Sequence, residues 1–266
     1  MAKRCVSTCR KLAQQLNWAA TRSYEHEALY WQGQAAAFSG QIKKARELYK
    51  RGTEMAKTRG MNERIAVHMV LLAWREASLS SCQPVKEDVA QALALARNDF
   101  TIGAAASAFI MCNETGQAQP LIEELAKQNP KDTRVNMIFL PTTKAAIQSN
   151  HGNSSDAIKL LESASRFDFS SYFAFWTIYT RAQSYLRARE GARAVQEFQK
   201  ILDYRGIDAL SPLFPLAHLG QGRAAALMAD TTKARQSYQN FFALWGAADP
   251  DIPILIEAKK EYEKLK

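Results

Sequence analysis

Six times along the chain a small residue is followed twelve positions later by a second small or short apolar residue, and four positions after that by a bulky apolar one. The six sets are Gly33, Ala45, Tyr49; Ala77, Val89, Leu93; Ala106, Ala118, Ile122; Ala145, Ala157, Leu161; Ala182, Ala194, Phe198; and Gly222, Ala234, Tyr238. Two antiparallel helices approach closely only where small residues face each other at the crossing, and a bulky neighbour then fills the wedge beside them. Turn-forming residues lie between the two small positions: Ser39-Gly40, Thr115-Gly116, His151-Gly152-Asn153, Glu190-Gly191 and Asp230-Thr231-Thr232. The pattern predicts helix, turn, helix, six times over. Successive second small positions are 44, 29, 39, 37 and 40 residues apart, so the units carry insertions, chiefly Ser80 to Pro84 and Ile207 to Pro215.

In this order of small, aromatic and proline positions the chain resembles the tetratricopeptide repeat family, whose unit is about 34 residues. Residues 99–131 show it through Ala106, Phe109, Gly116, Ala118, Leu125 and Asn129-Pro130, residues 175–202 through Ala182, Tyr185, Ala194 and Phe198, and residues 215–245 through Gly222, Ala225, Ala234 and Tyr238. The resemblance implies an all-α, right-handed superhelix of about six degenerate hairpins over residues 26–247. Residues 1–25 and 248–266 read as terminal capping helices, which an array needs because its end units lack a neighbour. The segment from Gly222 through Asp249-Pro250-Asp251-Ile252-Pro253 to Tyr262 also resembles the carboxyl-terminal repeat region of bacterial eukaryotic-like serine/threonine kinases and related regulators. Such a region is a cytoplasmic part, or an extracytoplasmic one where its kinase is membrane-anchored.

The family lines its concave face with the first helix of each pair, at positions three before and one after the first small residue and one turn further on. Carried onto this chain, the partner-binding residues are Tyr30, Gln34, Phe38, Trp74, Ser107, Met111, Tyr179, Gln183, Arg187 and Arg223. Aromatics, arginines and amides of this kind suit an extended peptide or a protein surface. The Lys and Asn by which chaperone-binding members clamp a terminal carboxylate are replaced by Tyr30 and Gln34, which argues against that mode. The aromatic run Phe167, Phe169, Tyr172, Phe173, Phe175, Trp176 and Tyr179 is expected to be core between repeats, and any exposed part of it a further contact.

Composition agrees with helix throughout: 12 Gly and 8 Pro in 266 residues, with 47% apolar and 23% charged. No stretch is long and apolar enough to span a bilayer. Net charge is +9, and residues 1–64 hold 13 Lys and Arg against 5 Glu, while the remaining 202 hold 22 basic against 21 acidic. The alternative function is therefore an acidic-surface or nucleic-acid binder working through Lys43, Lys44, Arg46 and their neighbours, although solvated helix faces explain the same residues and nucleic acid is the lesser expectation. Cys5, Cys9, Cys82 and Cys112 match no metal spacing and are expected to be reduced structural thiols. His26, His68, His151 and His218 fall in different hairpins, and neither a phosphate-binding loop nor a nucleophile elbow occurs, so no enzyme, cofactor or metal site is expected.

Overall fold

The computed structural model describes residues 24–170 and 175–265, and helices account for all the regular structure among them. They pair in sequence as six hairpins: α1 (Glu25–Phe38) with α2 (Ile42–Lys57), α3 (Asn62–Ser78) with α4 (Val85–Leu95), α5 (Asp99–Met111) with α6 (Thr115–Gln128), α7 (Leu140–Asn150) with α8 (Ser154–Ala164), α9 (Trp176–Arg187) with α10 (Gly191–Asp203), and α11 (Leu213–Leu227) with α12 (Thr231–Leu244). A final helix, α13 (Pro253–Glu263), follows. The amino-terminal cap expected over residues 1–25, with Cys5 and Cys9, lies outside the described residues save for its last two positions.

The helix crossings form where the small residues predict them. Ala45, Ala106, Ala118, Ala145, Ala157, Ala182, Ala194 and Ala234 have no exposed surface. At the two glycines of the set the approach is closest: a Cβ on Gly33 would stand 2.6 Å from the Tyr49 ring, and one on Gly222 would stand 2.7 Å from the Tyr238 ring. The same contact, sixteen residues apart in sequence, thus recurs at both ends of the array.

Every first helix also stops in the same way. Gly40, Ser80, Asn113, Gly152, Arg189 and Ala229 take left-handed φ between 59° and 87°. The next N–H in each case returns to the carbonyl five residues back, from Gln41 to Ala36, Ser81 to Glu76, Glu114 to Phe109, Asn153 to Gln148, Glu190 to Tyr185 and Asp230 to Ala225, at 2.8–3.0 Å. This closure satisfies the last carbonyls of the helix. Only two of the six left-handed positions are glycine; Gly116 and Gly191 lie instead within the first turns of the second helices.

Before α7 the helical ladder widens to a π-type turn over Val135–Phe139. Pro141 follows two residues after it, and its missing N–H would otherwise have bonded the carbonyl of Met137.

The expectation of four free thiols is overturned: Cys82 and Cys112 form a disulfide, with Cα atoms 5.6 Å apart. Thirty residues separate them in sequence, but the insertion after α3 carries Cys82 back over the end of α5. It is a contact between repeats, which spacing along one helix does not reveal.

The array curves until its ends meet. The backbone N–H of Asp249 donates to the carbonyl of Gly40 (2.9 Å), the indole N–H of Trp245 donates to that of Phe38 (3.1 Å), and the Asp249 carboxylate accepts from the N–H of Lys43 (2.8 Å). The insertion before α11 adds to this seam, because buried Arg75 donates to the Leu210 carbonyl at 2.8 Å and to Gln34 Oε1 at 2.7 Å. Arg205 lies over the rings of both Phe38 and Phe214.

Candidate functional site

Inside the curve a cavity of about 200 Å³ opens between the carboxyl ends of α3, α5 and α7, the length of α9, and single residues of α11 and α13. Five of the ten sequence-predicted residues line it: Met111, Tyr179, Gln183, Arg187 and Arg223. Ser78 and Ala146, the family-equivalent positions of the second and fourth hairpins, line it as well.

The other five are enclosed by the protein. Tyr30 stacks on His68 with ring centroids 3.6 Å apart and shares a hydrogen bond with Thr53. Gln34 is taken up by Arg75, and Phe38 faces Phe214 in the seam. Trp74 is buried, and Ser107 donates to the Gly103 carbonyl of its own helix at 2.7 Å. Of the positions one and five after the first small residue, Ser78, Ala146, Gln183, Arg223, Met111, Asn150 and Arg187 line the cavity, whereas of those three before it only Tyr179 does. Closure at the seam removes Gln34 and Phe38, which would face solvent in an open array.

Sequence reading missed Ser80, Ile110, Asn150, Trp176, Thr180 and Ile254 in the lining. Asn150 stands five after Ala145, so the same rule finds it. Ile254 belongs to α13, and no feature of the repeat predicts that this helix reaches the cavity.

Two guanidinium groups give the cavity its electrostatic character. Arg223 Nε–H donates to Glu261 Oε2 at 3.0 Å, and its Nη2 lies 3.1 Å from Glu257 Oε2, so two of the three acids of α13 point at it. Tyr238 also donates to Glu261 Oε2, at 2.8 Å. Arg187 differs, because its hydrogen bond runs to a neutral group, Ser149 Oγ, at 2.7 Å. Arg187 as a whole is exposed, and the partial desolvation of its guanidinium pushes its pKa down, opposed only by Tyr179. Burial in turn pushes the Tyr179 phenol up, with Arg223, Gln183 and Arg187 acting against that.

The remaining chemistry-bearing groups do not converge here. Among the described residues no group of three His, Cys, Asp or Glu is placed to hold a metal ion. Half-buried His218 and buried His68 sit in hairpin packing, whose desolvation lowers them to about 4 and about 3. The basic residues of α2 are partly compensated: Arg46 bridges Glu76 and Asp88 at 2.5 and 2.6 Å, and Lys43 meets Asp251 at 2.8 Å. Of the aromatic run, Phe175 and Trp176 are core as expected, Phe169 is exposed and rests on Tyr204, and Tyr172 and Phe173 lie outside the described residues. No described helix is long and apolar enough to cross a membrane.

No protein-family model matches the chain, and no curated protein matches it. Among solved structures it is similar to a crystal structure of yeast Tom70, with 15% identity and a TM-score of 0.48. The match covers 99% of this chain and 59% of that one, so the chain spans less than two thirds of its neighbour's length.

Proposed function

We propose that the chain is an interaction scaffold whose inner cavity receives a segment of a protein partner. The observation that carries this reading is the cavity itself: residues from five hairpins and α13 converge on it, and its lining combines an apolar wall at Ile110, Met111 and Ala146 with the donors of Gln183, Arg187 and Arg223. Amides and guanidinium groups beside apolar surface suit a peptide backbone and its side chains, and among the described residues that line the cavity there is no His, Asp or Glu. A regulatory region of a bacterial signalling protein is the finer form of this proposal, supported by the resemblance of residues 222–262. The disulfide supports the extracytoplasmic placement, since such bonds persist in oxidising compartments.

The test is a photo-crosslinking residue placed at Gln183, inside the cavity, and separately at exposed Lys50 on α2, with each full-length protein irradiated in lysate and in periplasmic extract. A protein joined through position 183 and not through position 50, and binding the purified chain afterwards, supports the scaffold reading. Identical products from both positions, or none from position 183, refute it.

A further inference from the structure

The Cys82–Cys112 bond stands at the rim of the cavity and within reach of solvent. Both cysteines are half-buried, Gln83 and Asn113 beside them are exposed, and Ser80 and Met111, two and one positions away, line the cavity. Among the described residues the bond is also the one directional tie between this insertion and the next hairpin. The N–H groups of Ser80 and Ser81 donate to the carbonyls of Ala77 and Glu76, and that of Val85 to the Cys82 carbonyl, so the hydrogen bonds of residues 80–84 stay within their own hairpin. Meanwhile α3 and α5 pack on each other without it, and Leu79 is fully buried. Opening the bond therefore frees the rim and leaves the contacts that make the fold.

We propose that this disulfide is a thiol-exchange switch on the cavity, closed by oxidation and released by a dithiol reductant. A thiolate of the dithiol attacks one of the two sulfurs, the Cys82–Cys112 bond breaks, and the displaced sulfur leaves as a thiolate that takes up a proton. The second thiolate of the reductant then attacks the mixed disulfide, closing its own S–S bond and releasing the other cysteine, which is protonated in turn. Two electrons and two protons pass from the dithiol to the protein. With Cys82 free, Ser80 is no longer held at the rim beside Met111. The regulatory sense of the switch rests on the scaffold reading, whereas its exchange chemistry does not.

The test uses the full oxidised chain with a coumarin amino acid at position 183. Dithiothreitol is the reductant, Cys82 and Cys112 are followed by alkylation and mass spectrometry of their peptides, and quenching of the coumarin by succinimide reports access to the cavity. Reduction at a rate proportional to dithiothreitol, with helical circular dichroism retained, is expected, because the bond is reached in the folded state. In the reduced chain the amides of Ser81 and Glu114 should exchange at least about tenfold faster, as a loss of about 1.4 kcal/mol of local stability gives, while those of Asn153 and Asp230 in the equivalent closures stay unchanged. Quenching should rise on reduction. The chain carrying both Cys82→Ser and Cys112→Ser should match the reduced state throughout and ignore dithiothreitol. A rate that levels off at a value independent of dithiothreitol means a bond reached only by unfolding and overturns the switch, as does loss of helix on reduction. Unchanged exchange and quenching overturn it as well. Equal photo-crosslinking of a partner through position 183 by oxidised and reduced chains sinks the switch and leaves the scaffold reading standing; a responsive rim with no partner captured in either state does the reverse.

Discussion

Substituting Gly222 by alanine sets two effects of opposite sign against each other. Gly222 lies within α11, where alanine is favoured over glycine by about 1 kcal/mol through helix propensity. A Cβ at this position, however, would stand 2.7 Å, 2.8 Å and 3.3 Å from the Cδ2, Cε2 and Cγ atoms of Tyr238. Ordinary contact needs about 3.5 Å or more, so the ring or the helix has to yield. Tyr238 has little room to do so: it is 2% exposed, its hydroxyl is bonded to Glu261, and its ring packs against Phe242 and Tyr262. Overpacking of this kind costs about 1–3 kcal/mol, leaving a net loss of up to about 2 kcal/mol for Gly222→Ala. Urea unfolding of the wild type, Gly222→Ala, Tyr238→Leu and the double variant measures it. In the Tyr238→Leu background the alanine should be neutral or stabilising, because the ring is gone. Stabilisation by Gly222→Ala in the otherwise native chain would refute the argument.

Ala229→Gly should stabilise the protein by about 0.5–1 kcal/mol, because φ of 59° strains alanine and suits glycine; a lowered urea midpoint would oppose this. Cys82→Ser should cost about 3–4 kcal/mol for a loop of 30 residues, and its unfolding midpoint should match that of the reduced wild type. His218, held near 4 by burial, and His68, near 3, stay neutral in the folded protein, whereas both take protons below about 6.5 when unfolded. Each therefore lowers stability by about 1.4 kcal/mol per pH unit as pH falls from 6.5 toward 4. Glu76, raised to about 7 by burial against the pull of Arg46, acts in the opposite sense between about 4.5 and 7 and offsets one of them. Unfolding free energies at pH 4.5 and 6.5 should show a net decline toward acid that His218→Leu nearly abolishes.

Helix pairing was legible because it depends on local facts: small residues at one spacing give close crossings, and all six crossings lie where Gly33, Ala77, Ala106, Ala145, Ala182 and Gly222 predict them. The stop of each first helix was half legible. Gly40 and Gly152 announce it, but Ser80, Asn113, Arg189 and Ala229 adopt the same conformation because the hairpin geometry requires it, and the nearby Gly116 and Gly191 point two or three residues too far along. Half of the predicted residues are enclosed by the protein for a different reason. Tyr30 is taken up by His68 and Thr53 close by, whereas Gln34, through Arg75, and Phe38 are drawn into the seam that residues from the far end of the chain complete. Contacts across some 200 residues leave no mark on local spacing, and neither does the disulfide.

The irregularities in the repeat are where this long-range order is written. The insertion Ile207 to Pro215 supplies the carbonyl of Leu210 and the ring of Phe214 to the seam, and the insertion Ser80 to Pro84 supplies Cys82 to the bond with α5 and Ser80 to the cavity rim. An open helical array is close to one-dimensional, so each unit contacts only its neighbours and the ends are the weakest places. Here the first hairpin is buried against the last through backbone hydrogen bonds, a buried arginine and stacked rings, and the apolar faces that an open array would leave for caps are turned on one another. Closure also changes what the inner face is for. Positions near the seam become core, and the solvent-accessible lining shrinks to the α9 side, where Tyr179, Gln183 and Arg187 stand. On the scaffold proposal, a partner would present a short segment to this bounded cavity.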